Sequence, residues 1–314
     1  MISFRYHIVS LVSVFLALAI GIALGGGPLK GGVDNSLVQD LAARKKLEEN
    51  QQAQIAELKA GTAFSDSYAR STAPKLLSRT LKGVTVAVVA LPDAERSLVT
   101  SLGTLVRTAG GRVVGSYRIG SKLGDDANKG LVDQLGTQLE VAAPEVTLPE
   151  DVSTYQRFGM LLGRAIGTKT VTRSAYDETS ANLVSGFSTA GLFSAVGTPE
   201  RRADVVLVVT GPGANTDEQA AANEIHSVVA DSLAARVRTV LLAGPADGAR
   251  DGGLIRTVRD DSALAGRLST VDSAGTGPGG VVAMLAIAAD LTEGTGQYGA
   301  IDAADGPVPR RTTG

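Results

Sequence analysis

The sequence of 314 residues has no cysteine and no tryptophan, two histidines, three methionines and only 4% aromatic residues. Each shortage removes a class of chemistry. Without cysteine there are no disulfides, thiolate zinc sites, iron–sulfur clusters or cysteine nucleophiles. His7 and His226 are too few for a histidine-built metal centre and leave little for a catalytic triad. Soft copper ligands are thiolates and thioethers, and Met1, Met160 and Met284 form no cluster along the chain. A basic excess is missing too. The 30 Lys and Arg against 32 Asp and Glu give a formal charge of −2, so no nucleic-acid partner is expected.

What is present begins with a long apolar run. Ile8–Gly27 (IVSLVSVFLALAIGIALGGG) carries no charge over twenty residues. At about 1.5 Å per residue, a helix of this length matches the roughly 30 Å hydrocarbon core of a bilayer. The competing reading is a signal peptide, with Arg5 as its charged start and Ala23-Leu24-Gly25 as a cleavage site. Its apolar run is longer than the 7–15 residues usual for that role, so an uncleaved anchor is the favoured reading. Arg5 and His7 before the run, with Lys30 beyond it, favour a cytoplasmic N-terminus only weakly.

Gly25-Gly26-Gly27-Pro28 closes this helix, and Asp34, Asn35 or Ser36 can cap the next. SLVQDLAARKKLEENQQAQIAELKAGT then runs through helix formers to Gly61. A 3.5-residue repeat falls on Leu37, Leu41, Arg44, Glu48, Gln51, Ile55 and Leu58, apolar at both ends and polar in the middle. This is a short, imperfect coiled coil. Self-pairing through Leu37, Leu41, Ile55 and Leu58 is expected, because an anchor aligns two copies and raises their effective concentration. The alternative is a solvated helical spacer.

From Lys82 the pattern changes to strands alternating with helices. Strands are expected at Val84–Ala90, Arg112–Ile119, Asp204–Thr210, Arg238–Ala243 and Ser269–Val271. Helices are expected from Asp93 to about Thr108, over Pro149–Thr168 and Tyr176–Phe193, from Asp217 to about Ala235, over Leu254–Val258 and over Pro278–Thr292. The fold class is α/β: an open, mostly parallel, Rossmann-like sheet covered by helices on both faces. The expected organisation is a cytoplasmic 1–7, a membrane helix 8–27, a stalk 33–60, an extracytoplasmic α/β domain 82–299 and a disordered tail 300–314.

In open α/β sheets, ligands sit at the carboxyl ends of the strands. The turns there are Leu91-Pro92-Asp93, Thr210-Gly211-Pro212-Gly213 and Ala243-Gly244-Pro245. The sequence is read as lacking any G-x-G-x-x-G or G-x-x-x-x-G-K-S/T fingerprint, and Gly211-Pro212-Gly213 reads as a tight turn. The pairs Asp125-Asp126, Asp177-Glu178, Asp217-Glu218 and Asp260-Asp261 read as helix caps and solubilising groups. His226 reads as a structural histidine on a helix. No enzyme activity, catalytic residue, cofactor or metal-ligating residue is expected.

Three blocks resemble a known family. MISFRYHIVSLVSVFLALAIGIALG with its stalk, the TVAVVALPDA and DVVLVVTG strands, and STVDSAGTGPGGVVAMLAIAADLTEGTGQYG are similar to the actinobacterial MctB-type copper transport family, from Met1 to about Gly299. The resemblance implies copper transport or homeostasis in the envelope, with a channel role in the mycobacterial outer membrane. Corynebacterial relatives imply an alternative: a membrane-anchored scaffold for cell separation that couples a cytoplasmic partner to a peptidoglycan hydrolase. One helix forms no pore alone, so the expected location is the cell membrane, single-pass, rather than the outer membrane. The resemblance supplies no catalytic residues and no ligand set.

Overall fold

The computed structural model describes residues 4–26, 30–170 and 174–310. The chain divides into two compact units, 1–63 and 64–314. The expectations for residues 1–3, for Gly27 and Pro28 and for the tail beyond Arg310 lie outside the described residues.

The first unit holds α1 (Phe4–Gly26) and the beginning of α2 (Lys30–Leu76). Among the described helices, α1 is the one long and apolar enough to cross a membrane. Its apolar side chains, such as Leu11, Phe15 and Ile22, are all exposed. Since α2 starts at Lys30, residues Asp34 to Ser36 lie inside it rather than capping it. It also runs through Gly61, where the sequence suggests an end. A single glycine costs a helix only about 1 kcal/mol against alanine, too little to stop a run of good formers. The helix runs past Pro74 and ends at Leu76, with Leu77 N–H still donating to the Ala73 carbonyl. Leu37, Leu41, Ile55 and Leu58 are exposed in the single chain.

The second unit is built on a seven-stranded sheet. Its strands are β1 (Thr85–Ala90), β2 (Arg112–Ile119), β3 (Phe193–Ala195), β4 (Val205–Val209), β5 (Thr239–Ala243), β6 (Ser269–Val271) and β7 (Gln297–Tyr298). Their order is β3-β2-β1-β4-β5-β6-β7. Among the described strands, β2 and β3 pair antiparallel and the other five pairs are parallel. The helices are α3 (Arg96–Thr108), α4 (Lys129–Val141), α5 (Thr154–Ile166), α6 (Glu178–Thr189), α7 (Asp217–Ala234), α8 (Leu254–Asp260), α9 (Ser262–Ala265) and α10 (Gly277–Asp290).

Successive strand residues point to opposite faces, and here both faces are covered. Val86, Val88, Val205, Leu207 and Leu241 pack against Leu102 and Val106 of α3 and Met284 and Ile287 of α10. Ala73, Leu77 and Leu81, at and just beyond the end of α2, complete that layer. Ala87, Val89, Val206, Val208 and Leu242 face Phe158 and Leu162 of α5, Phe187 of α6 and Val229 and Leu233 of α7. Two-sided burial explains why β1, β4 and β5 read as unbroken apolar runs.

Four elements escape the sequence pattern. α4 has a modest apolar face, α9 spans four residues, β3 three and β7 two. Phe193, placed in a helix by the sequence, begins β3. Asp93 does not cap α3, whose N-cap position is Glu95.

The largest correction concerns residues 300–306, expected to be disordered. They close over the sheet edge on a buried ion pair. Arg259 donates from Nη1 to Asp272 Oδ2 at 2.8 Å, and the two side chains are 6% and 0% exposed. Arg259 also donates to Thr270 Oγ1 and to the carbonyls of Tyr298 and Ile301. Asp272 accepts from the backbone N–H groups of Ala300 and Ile301. Gly299 sits at φ +138, and a Cβ there would lie 2.1 Å from Asp272 Oδ1. The partners are one strand-end residue, one helix residue and a turn, a set that local periodicity does not reveal. Removing one member of a buried pair strands the other charge. Asp272→Ala is therefore expected to cost about 3–5 kcal/mol in urea unfolding. The double variant Arg259→Met/Asp272→Ala should recover part of that loss; an Asp272→Ala protein as stable as wild type contradicts the assignment.

Candidate functional site

The carboxyl ends of the parallel strands form the crevice where a ligand of this sheet would sit. Two of the turns expected there are spent on the fold. Gly213 N–H donates to the Asp247 carbonyl, and Thr210 N–H to that of Ala243. A Cβ on Gly211 would lie 2.6 Å from the Asp93 carboxylate. That carboxylate accepts from its own N–H and from Gly211 N–H, while burial holds its pKa above the ordinary value. Gly211-Pro212-Gly213 is thus a tight turn against a carboxylate.

A further Gly-rich turn was missed in the sequence. Gly275-Thr276-Gly277-Pro278-Gly279-Gly280 has the G-x-G-x-x-G spacing, follows β6 and opens α10. This corrects the expectation that the chain lacks such a fingerprint; the strand before it, β6, is only three residues long. In a dinucleotide site the phosphate lies on the helix N-terminus. Here a carboxylate of the same chain lies there: Gly277 N–H donates to Asp66 Oδ1 at 2.7 Å. Thr276 caps the helix, its Oγ1 accepting from Gly279 N–H. The absent Cβ of Gly277 admits α2, since one would stand 2.8 Å from Asp66 Cα. The turn therefore docks the last turns of α2, and its chemistry is satisfied internally. Beside it lies a cavity of about 430 Å³ lined by Asp66, Arg70, Leu98, Leu105, Thr210 and Pro245.

The carboxylate pairs separate into individual roles. Asp125 accepts from Ala127 N–H and Asn128 Nδ2. Asp177 caps α6 and pairs with Arg164 at 2.8 Å. Asp217 and Glu218 occupy the first turn of α7, capped by Thr216. Asp260 pairs with Arg256, and Asp261 caps α9. Met284 is buried between α10 and the sheet, and Met160 packs on the opposite core. No group of three or more His, Cys, Asp or Glu side chains converges as a metal site among the described residues.

Two buried titratable groups stand out. His226 on α7 has both ring nitrogens buried without a partner, and burial pushes its pKa down to about 4. Asp290, at the end of α10, is pushed up to about 7 by burial, although Ser269 and Thr239 hydroxyls donate to it. The sequence singled out His226 but gave no sign of Asp290, which looks like an ordinary last-turn residue.

Their proton linkages oppose each other. Between pH 4 and the ordinary histidine value of 6.5, the unfolded chain binds the His226 proton and the folded one does not, so that term makes stability rise with pH. Between the ordinary 3.8 and about 7, the folded chain keeps the Asp290 proton, so that term makes stability fall with pH. Each is worth roughly 3–4 kcal/mol, and over pH 4–6.5 they offset. His226→Gln should thus give a protein whose unfolding midpoint falls as pH rises from 4 to 7. Asp290→Asn should give one whose midpoint rises from pH 4 to 6.5. Parallel profiles for the two variants contradict this.

A family model described as copper transport outer membrane protein, MctB, matches residues 1–309. Copper transporter MctB of Mycobacterium tuberculosis and that of Mycobacterium bovis are 29% identical over 95% of this chain and 96% of their own length. The Mycobacterium leprae protein of the same name is also 29% identical, over 95% and 96%. The match takes in α1, α2 and the whole mostly parallel sheet, and the chain belongs to the MctB copper transport family.

Proposed function

We propose that the protein is a non-enzymatic, membrane-anchored component of copper handling in the cell envelope. The match of the MctB family model from residue 1 to 309 carries this reading. In this proposal α1 stays in the cell membrane with the N-terminus cytoplasmic, and the Rossmann-like α/β unit is exported. Copper is cargo. A single helix encloses no pore, and the thioethers of Met160 and Met284 are committed to cores. Copper would then be held between copies or handed to a partner.

Dimerisation supplies the second copy. Leu37, Leu41, Ile55 and Leu58 present apolar side chains at coiled-coil spacing on an exposed helix. The family names speak for copper and lend no support to the cell-separation alternative.

The test is calorimetric titration of the full-length protein in detergent with Cu(I) and Cu(II), with light scattering on the same sample. Stoichiometric binding at micromolar or tighter affinity by a dimer is expected. Leu41→Asp/Ile55→Asp should give monomers with copper binding lost. A monomeric wild type refutes the stalk pairing, and a dimer that binds neither ion leaves the copper role without a site in this chain.

A further inference from the structure

A second cavity lies on the other side of the β1 carboxyl end, away from Asp66. It measures about 560 Å³, and Pro92, Ser121, Gly124 and Ala222 form part of its wall. That is within the roughly 300–1,000 Å³ of small-molecule sites. Four carboxylate residues line it: Asp93 after β1, Asp125 and Asp126 before α4, and Glu218 in the first turn of α7. No Lys or Arg is among its lining residues. The α7 N-terminus offsets Glu218, which leaves three carboxylates on the facing loops. Asp125 spends its oxygens on local donors.

The acidic rim alone would be a solvated surface. The second observation is His226, which lines the same cavity. It is 8% exposed, yet neither Nδ1 nor Nε2 has a hydrogen-bond partner. The ring lies one turn below Ala222 on α7, beside Gly124. A Cβ on Gly124 would come within 3.2–3.3 Å of Cε1 and Nε2, so a side chain at that position would close over the ring. Buried polar groups are normally paired, and a neutral imidazole has one donor and one acceptor nitrogen. The site therefore offers an acceptor at its floor and anionic acceptors at its rim. A ligand rich in N–H donors and positive charge satisfies both. A preformed metal site does not fit, because these side chains do not converge.

We propose that this cavity binds a small aliphatic diamine, one ammonium group donating to the acceptor nitrogen of His226 and the other to the Asp126 carboxylate at the rim. The inference is independent of the copper reading.

The experiment uses the full-length protein in detergent, labelled with ¹⁵N-histidine, at physiological salt and neutral pH. Only two histidines exist, and His7→Gln assigns their signals. Putrescine is the probe. A saturable shift of the His226 ring nitrogens is expected, with His7 unmoved and butyrate without effect. Asp126→Asn, which removes no side-chain hydrogen bond or ion pair of the fold, should weaken binding about two- to fivefold, the worth of one partly exposed ion pair. His226→Leu should abolish calorimetric putrescine binding while circular dichroism stays that of the wild type. The absence of a saturable shift, an equal shift with butyrate, or unchanged affinity in Asp126→Asn overturns the proposal. So does a shift given by Cu(II) and not by putrescine, which would make this a metal site.

Discussion

A mostly parallel sheet has to be covered on both faces, and this constraint organises the second unit. Each of β1, β4 and β5 buries every side chain but the first of β1. One face is covered by α5, α6, α7 and α8. The other has α3 and α10 and would remain partly open without Ala73, Leu77 and Leu81. The end of α2 is thus a structural layer of the α/β unit. Asp66 fixes it by filling the N-terminus of α10, a position that other sheets of this kind give to a phosphate.

This arrangement explains why a glycine fingerprint can exist without its usual ligand. Helix N-termini attract anions, and an internal carboxylate satisfies that attraction as a phosphate does. Gly277 then serves the approach of α2. Gly280 serves the packing of α3, because a Cβ there would meet Leu105 at 2.6 Å. Two of the three fingerprint glycines thus answer packing needs, whereas a Cβ at Gly275 would make only ordinary contact with Pro245 at 3.6 Å.

Much of the fold was legible in the sequence. The strands Arg112–Ile119 and Ser269–Val271 were located to the residue, and α7 to within one, because their apolar runs and bounding glycines are local signals. The features that escaped depend on distant partners. Gly61 does not stop α2, since the segment beyond it is held by packing onto a sheet that begins at Thr85. The clamp of Arg259 and Asp272 over residues 300–306 joins groups that only the folded chain brings together. Asp290 acquires its raised pKa from the same kind of enclosure. Of the site, His226 was visible as a residue type, whereas its missing partners were not; Asp125 and Asp126 were visible as a pair, whereas the cavity they rim was not.

The central claim is that the chain from about residue 69 to 81 belongs to the core of the α/β unit. Native-state hydrogen exchange on the full-length protein in detergent tests it directly, since exchange protection reports which segments open only with the core. Amides of residues 73–81 are expected to be protected as strongly as those of α3 and α10. Amides around Leu41–Ile55 are expected to exchange independently of them. Exchange of 73–81 at the rate of 41–55, with α3 and α10 still protected, would contradict the claim.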